Sequence, residues 1–181
     1  MPKLTGDFKK QVKALSKADL EKIVLKLAGA DRYSHEYINV YFLNPDYGSQ
    51  DLFEVYKAEL EKLAEKNFTG NHPSKRLTKL MKASAQSIRQ FRQVVKDPRL
   101  EAELTLCMLD IQFEMIPKSS GGYQVYENGL ARTLGKLIVL IREKVHEDYF
   151  LEYQGRINGY LLTLHRLFPY NANVRELPRA I

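Results

Sequence analysis

Apolar residues recur every three or four positions along almost the whole chain. No segment of comparable length alternates apolar and polar residues by two. A spacing near 3.6 residues is typical of amphipathic α-helices, whereas alternation by two indicates strands. The pattern therefore predicts an all-α protein, a multi-helix bundle or short α-solenoid of about seven to eight antiparallel helices.

Capping residues and prolines place the helix boundaries. Ser16 and Ser74 are expected to cap helices, because a serine side chain accepts a hydrogen bond from an otherwise unpaired amide of the first turn. Pro45 and Pro98 end the helices before them, since the residue preceding a proline disfavours the helical conformation. The stretch PKSSGG at 117–122 predicts a further break. The helices are thus expected at about 8–15, 17–29, 31–43, 49–67, 75–96, 98–116, 124–145 and 147–168.

The length of 181 residues fits one domain. We expect a single all-helical domain over residues 1–168. The remaining segment, 169–181, contains two prolines, and we expect it to be an extended or frayed C-terminal tail.

Two of the predicted helices are apolar on two opposite sides. In the helix over 98–116, one face carries Leu100, Leu104 and Met108, and the other Leu106, Leu109 and Phe113. The last helix has a main stripe and a second, smaller one behind it, formed by Leu151 and Leu162. A helix of this kind lies between neighbours, so both are expected at the centre of the fold. Gly155 and Gly159 beside the smaller stripe would let a neighbouring helix approach closely.

The chain carries a series of helix landmarks in a fixed order. They are LSKADLEKIVLKL, YFLNP, VYKAELEKL, the basic helix over 75–96, KDPRLEAELTLCMLDIQFE and LARTLGKLIVLI. This series resembles an uncharacterised family of bacterial all-helical proteins, and the resemblance covers most of the chain. It implies an all-helical fold and a bacterial source. It implies no activity and no functional residues.

Composition narrows the environment of the protein. The chain is 44% hydrophobic and 28% charged, as is usual for folded proteins. A single cysteine excludes an intrachain disulfide. The N-terminal segment lacks the continuous apolar stretch of a signal peptide, and no apolar run reaches the ~18 residues that cross a bilayer. We therefore expect a cytoplasmic protein without a membrane partner.

Candidate catalytic and metal-binding patterns are sparse. Glu143 and His146 form one Glu-x-x-His motif, followed by Glu147, whereas a di-iron carboxylate site needs this motif twice. We therefore expect these three residues to form a solvated helix end. Cys107 lies on an apolar helix face, where it is expected to be part of the core rather than a reactive thiolate. Phosphate-binding loops and nucleophile elbows are missing from the sequence. We expect no cofactor and no catalytic residues, and an enzyme of unrecognised type is kept only as a third hypothesis.

The segment 75–96 has seven basic residues and no acidic one. At 100° per residue, five of them form a ridge opposite the apolar stripe of the helix. We call these five residues the basic ridge: Lys75, Lys79, Lys82, Arg89 and Lys96. Solvated helix faces usually mix charges, because opposite charges four residues apart stabilise a helix by a few tenths of a kcal/mol. An ordinary solvated face is the first reading of this ridge, and a surface for an acidic partner is its candidate function.

These observations favour a non-catalytic interaction or scaffold module whose partner is an acidic protein or a second copy. The alternative is a nucleic-acid-binding protein that uses the basic helix 75–96. Nucleic acid is not favoured, because the net charge of +6 is modest and few aromatic residues lie among the basic ones.

Overall fold

The computed structural model describes residues 3–44, 46–66, 72–116 and 123–181. These residues contain nine α-helices, one short π-helix and no strand, which confirms the all-α prediction. The break predicted over 117–122 lies outside the described residues. Contacts divide the chain into an N-terminal unit, Met1–Gly48, and a C-terminal unit, Ser49–Ile181, where the sequence favoured one domain.

The N-terminal unit consists of short helices, and the helix that follows Ser16 is capped as the sequence predicts. The Ser16 hydroxyl accepts the Asp19 amide at 3.2 Å and donates to the Asp19 carboxylate at 2.6 Å. Asp31 accepts the amide of Ser34 at 2.8 Å, and this bond lowers the pKa of the Asp31 carboxyl. The elements are α1 (Gly6–Lys13), α2 (Lys17–Ala30), α3 (Arg32–Ile38) and a π-helix (Asn39–Leu43) that continues α3.

Burial within this unit is slight. Helices α2 and α3 pack against each other, yet every described apolar residue of the unit is at least partly exposed. The buried residue here is Glu36, whose carboxylate accepts from the Arg32 guanidinium at 2.6 Å. A layer of helices buries its apolar stripe only against a second layer. The N-terminal unit is thus one layer without an interior of its own.

The C-terminal unit contains the longer helices. The basic helix begins slightly earlier than predicted. His72 is its N-cap and Pro73 its first residue, so Ser74 lies inside the helix. Proline suits this position because its fixed φ is helical and its missing N–H would be unpaired there. The elements are α4 (Ser49–Glu65), α5 (Pro73–Val94), α6 (Pro98–Glu114), α7 (Gln124–Lys144), α8 (Glu147–Leu167) and α9 (Ala172–Arg175).

Helix α6 is at the centre of the C-terminal unit, as its two apolar sides predict. It contacts α4, α5 and α7. Leu104 and Leu109 lie on opposite sides of the helix, and both are 0% exposed. A side chain buried to this extent stabilises the fold by about 1.5–3 kcal/mol relative to an exposed one. The two-sided burial of α6 therefore holds its neighbours in place.

The same prediction for α8 is wrong. Its main stripe is buried, with Ile157 and Leu161 both 0% exposed, but Leu151 is 72% and Leu162 68% exposed. A Cβ atom added to Gly155 or Gly159 would meet nothing within 4 Å. Helix α8 packs against α7 and α9 on its inner side. It is an edge helix, so its smaller stripe faces solvent and its glycines admit no neighbour among the described residues.

The tail also differs from the extended or frayed segment that its prolines suggested. It contains α9, in which Val174 is 0% exposed. Its last residue is fixed to α8 at both backbone groups. The Ile181 amide donates to Asn158 at 2.9 Å, and Gln154 donates to the Ile181 carbonyl at 2.6 Å. The tail is therefore a strap that covers part of α8.

We expect Leu109→Ala to lower the free energy of unfolding by about 2–5 kcal/mol, because it leaves a cavity at a fully buried site of α6. Leu162→Ala is the matched control on an exposed site and should change it by less than about 0.5 kcal/mol. Denaturant unfolding of both variants measures the difference. A loss below about 1 kcal/mol for Leu109→Ala would contradict the central placement of α6.

Candidate protein-binding groove

The structure exposes the whole basic ridge. Helix α5 buries its apolar stripe, including Leu80, Ile88 and Phe91. All five ridge residues on the opposite side are exposed. The amphipathic pattern of the sequence therefore predicted the orientation of this helix correctly.

Two basic residues near the C-terminal end of α5 are bonded to other groups of the protein. The Lys96 ammonium donates to the Arg92 carbonyl oxygen at 2.7 Å. The Arg92 guanidinium pairs with Glu101 on α6 at 3.0 Å. Within the described part of the chain, Lys75, Lys82 and Arg89 form no ion pair with an acidic residue. Most of the ridge charge is thus balanced by solvent.

A groove of about 620 Å³ lies where α5 and α7 meet over α6. The three helices contact one another in pairs, so the groove is built entirely inside the C-terminal unit. Its floor is aliphatic, formed by Ile88 of α5, Met108 of α6 and Leu137 of α7. These three floor residues are at most 8% exposed, so the floor is part of the packed core.

The rim of the groove is mainly cationic. Its basic residues come from two sides: Arg92 of α5 and Lys96 just beyond the end of that helix on one side, Lys136 and Lys144 of α7 on the other. Glu101 and Glu143 also line the groove, and Glu101 is already paired with Arg92. An aliphatic floor between cations is complementary to a segment with apolar side chains and carboxylates. The groove is open to solvent rather than closed around a cavity. It is therefore suited to a macromolecular segment rather than to a buried small molecule.

The groove includes one of the five residues predicted for the site. Lys96 lines it, whereas Lys75, Lys79, Lys82 and Arg89 continue along α5 outside it. Sequence reasoning missed Lys136 and Lys144, because it did not show that α7 lies beside α5. The available signal was the helical spacing of Lys136, Leu140 and Lys144 on one side of α7.

Within the half-pattern Glu143, His146 and Glu147, the histidine has a structural role. The His146 ring nitrogen accepts the Asp148 amide at 3.4 Å and so caps the start of α8. Glu143 lies at the groove, and all three residues are exposed. In the described residues, no group of three or more His, Cys, Asp or Glu side chains is arranged to hold a metal ion.

Cys107 lies on α6 and is partly exposed, so it is less deeply buried than the sequence predicted. Loss of hydration raises the pKa of its thiol, because burial disfavours the charged thiolate. A nucleophilic cysteine needs the opposite shift. The environment of Cys107 is therefore that of a packing residue.

A second groove, of about 530 Å³, lies between α6 and α8 and includes Gly155 and Gly159. Its polar centre is Asp110, which accepts hydrogen bonds from the Tyr160 hydroxyl and the Arg156 guanidinium. Burial, followed by the bond to Asp110, raises the pKa of Tyr160. The phenol therefore stays protonated and the carboxylate stays paired. This cluster cross-links α6 to α8 and offers no poised acid or base.

Comparison of the chain with protein-family models, curated proteins and solved structures gave no match. In the residues that the structure describes, no helix combines the length and apolarity needed to cross a membrane.

The pH profile of Cys107 alkylation tests its environment. A raised thiol pKa leaves less thiolate at a given pH, so reaction with iodoacetamide should be slower than that of a free cysteine at pH ~8. The rate should continue to rise above pH ~9, where that of a free cysteine levels off. The chain in denaturant is the control and should behave as free cysteine. Equal profiles for the folded and unfolded chains would contradict the assignment.

Proposed function

We propose that this protein is a non-catalytic interaction module that binds an acidic, amphipathic helical segment of a partner protein in the groove between α5 and α7. One observation carries the proposal: an aliphatic floor that continues the core lies between cationic residues of two helices. The basic ridge on α5 extends this positive surface beyond the groove.

The floor and the rim contribute differently to binding. Exposed ion pairs contribute about 0–1 kcal/mol each, because water and salt screen them. Burial of one leucine-sized side chain from the partner contributes about 1.5–3 kcal/mol. The floor would thus supply most of the affinity, while the rim cations would orient the partner and speed its association.

The alternative, nucleic-acid binding through the basic helix, rests on the ridge. Single-stranded nucleic acids bind proteins by stacking bases on aromatic side chains as well as by charge. No aromatic residue lines this groove in the described part of the chain. The ridge itself follows one helix, and the neighbouring Arg92 is already paired with Glu101. A protein partner therefore fits the groove better than nucleic acid does.

We also propose that the protein acts in the bacterial cytoplasm. Support comes from the sequence resemblance to an uncharacterised bacterial all-helical family and from the single cysteine.

A designed peptide tests the function. The probe is a labelled helical peptide with leucine at positions i, i+4 and i+7 and glutamate at the remaining surface positions. We expect wild-type protein to bind it and the double variant Lys96→Glu/Lys136→Glu to bind at least about tenfold more weakly, because reversal on both rims repels the carboxylates. Fluorescence anisotropy at ~150 mM salt measures both affinities.

Two controls make this result specific. Lys75→Glu/Lys79→Glu reverses the same number of charges on the ridge outside the groove and should weaken binding less than about threefold. A peptide with lysine in place of glutamate should not bind. If the ridge variant loses as much affinity as the groove variant, binding depends on net charge and the groove assignment is wrong.

Duplex DNA tests the alternative. Submicromolar binding at ~150 mM salt that is lost in Lys79→Glu/Lys82→Glu would favour the nucleic-acid function. Engagement of all five ridge residues would then give a log–log salt slope of about −4.5. We expect only weak retention, without preference for sequence or strand state.

A further inference from the structure

Helix α5 presents one continuous polar stripe to solvent. Alternate steps of four and three residues keep a series of positions on one side of a helix. Six positions of α5 follow these steps, and all six are exposed, with four cations and no acidic residue among them. We call them the α5 stripe: Lys75, Lys79, Lys82, Gln86, Arg89 and Gln93. The stripe contains the basic ridge except Lys96, which follows the end of the helix.

Helix α4 presents a stripe of the opposite sign. Five of its positions are related by alternate steps of three and four residues, and all five are exposed. Buried Phe53 and Leu60 lie on the other side of the helix, while Lys57 and Lys62 flank the stripe at 100° per residue. We call the five residues the α4 stripe: Asp51, Glu54, Ala58, Glu61 and Glu65.

The two stripes match in spacing as well as in sign. Glu54 and Glu61 are seven residues apart, as are Lys75 and Lys82, and seven residues of helix rise about 10.5 Å. The α4 stripe is about 21 Å long and the α5 stripe about 27 Å, so the acidic stripe fits within the length of the basic one. Helices with this alternating spacing lie side by side, and charges across such a contact determine which partner is chosen.

Each stripe keeps like charges close together. Glu61 and Glu65 lie four residues apart, and like charges at this spacing destabilise a helix. The same holds for Lys75 and Lys79. Within the described residues, neither Glu61 nor Glu65 forms an ion pair with a basic residue. A stripe of opposite charge placed alongside would offset the repulsion within both.

A second copy of the chain carries such a stripe. Every copy presents one stripe of each sign, and both lie in the C-terminal unit. Nucleic acid would match the α5 stripe and leave the α4 stripe unmatched, whereas a basic protein would do the reverse. Copies of this chain supply both stripes in equal number.

We propose that copies of this chain associate with one another, with the α4 stripe of one copy lying along the α5 stripe of another. The contact joins two different surfaces, so it is heterologous. Exposed charges select a partner and speed its encounter more than they add affinity, so the association is weak and reversible. No residue of either stripe lines the groove between α5 and α7 in the described chain, and neither proposal depends on the other.

Sedimentation of the full chain at ~200 µM, with and without nuclease treatment, tests the association without a variant. We expect assemblies larger than the monomer at ~10 mM salt, where charges act over about 30 Å, and monomers at ~1 M salt, where they act over about 3 Å. The net charge of +6 makes copies repel each other more strongly as the salt concentration falls. Association that strengthens at low salt therefore indicates local complementarity rather than an effect of net charge.

Two charge reversals identify the surfaces. Lys79→Glu/Lys82→Glu cancels the charge of the α5 stripe, and Glu61→Lys/Glu65→Lys cancels that of the α4 stripe. At low salt, each variant alone should associate with a dissociation constant at least about tenfold higher than that of wild type. An equimolar mixture should regain association, because the intact α4 stripe of the first variant meets the intact α5 stripe of the second. The net charges become +2 and +10, both positive, so net attraction cannot explain a mixed assembly.

Lys136→Glu/Lys144→Glu is the matched control. It also lowers the net charge from +6 to +2, but on α7 and outside both stripes, so it should associate at least as tightly as wild type. All substituted residues are exposed, and circular dichroism shows whether each variant keeps its helices.

Several results would overturn the proposal. A wild-type chain that is monomeric at ~10 mM salt would contradict it directly. Assemblies that disappear on nuclease treatment would mean that nucleic acid bridges the copies. A mixture of the two stripe variants that stays monomeric would exclude the contact between α4 and α5. Loss of association in the α7 control would show that another surface carries the contact.

Discussion

Two-sided burial of α6 is the constraint on which the C-terminal unit depends. Because Leu104 and Leu109 on opposite sides of this helix are both excluded from water, α6 needs a helix on each side. Helices α5 and α7 then meet over it, and a groove remains between them. The floor of that groove consists of buried side chains from all three helices, while its rim consists of the polar edges of α5 and α7. The site is therefore a consequence of how the core is packed.

The sequence predicted what is determined locally. Helix starts at Ser16 and Pro98 are fixed by bonds within one turn, and they occur where expected. The prediction for α8 failed because a helical wheel identifies apolar positions without showing whether a neighbour covers them. Leu151 and Leu162 have the pattern of a packed stripe but lie at the edge of the unit. The groove was not predictable for a related reason, because it joins Lys96 to Lys136 across two helices that are not consecutive in the chain.

The two units of the chain differ in how far their apolar residues are buried. The C-terminal unit buries its main stripes and fixes even Ile181 against α8. The N-terminal unit has well-capped helices, yet none of its described apolar residues is fully buried. Capping contributes about 1 kcal/mol per helix, which cannot replace a core when each ordered residue costs about 1–2 kcal/mol of conformational entropy. The N-terminal unit therefore has local helix signals without a buried apolar interior among its described residues.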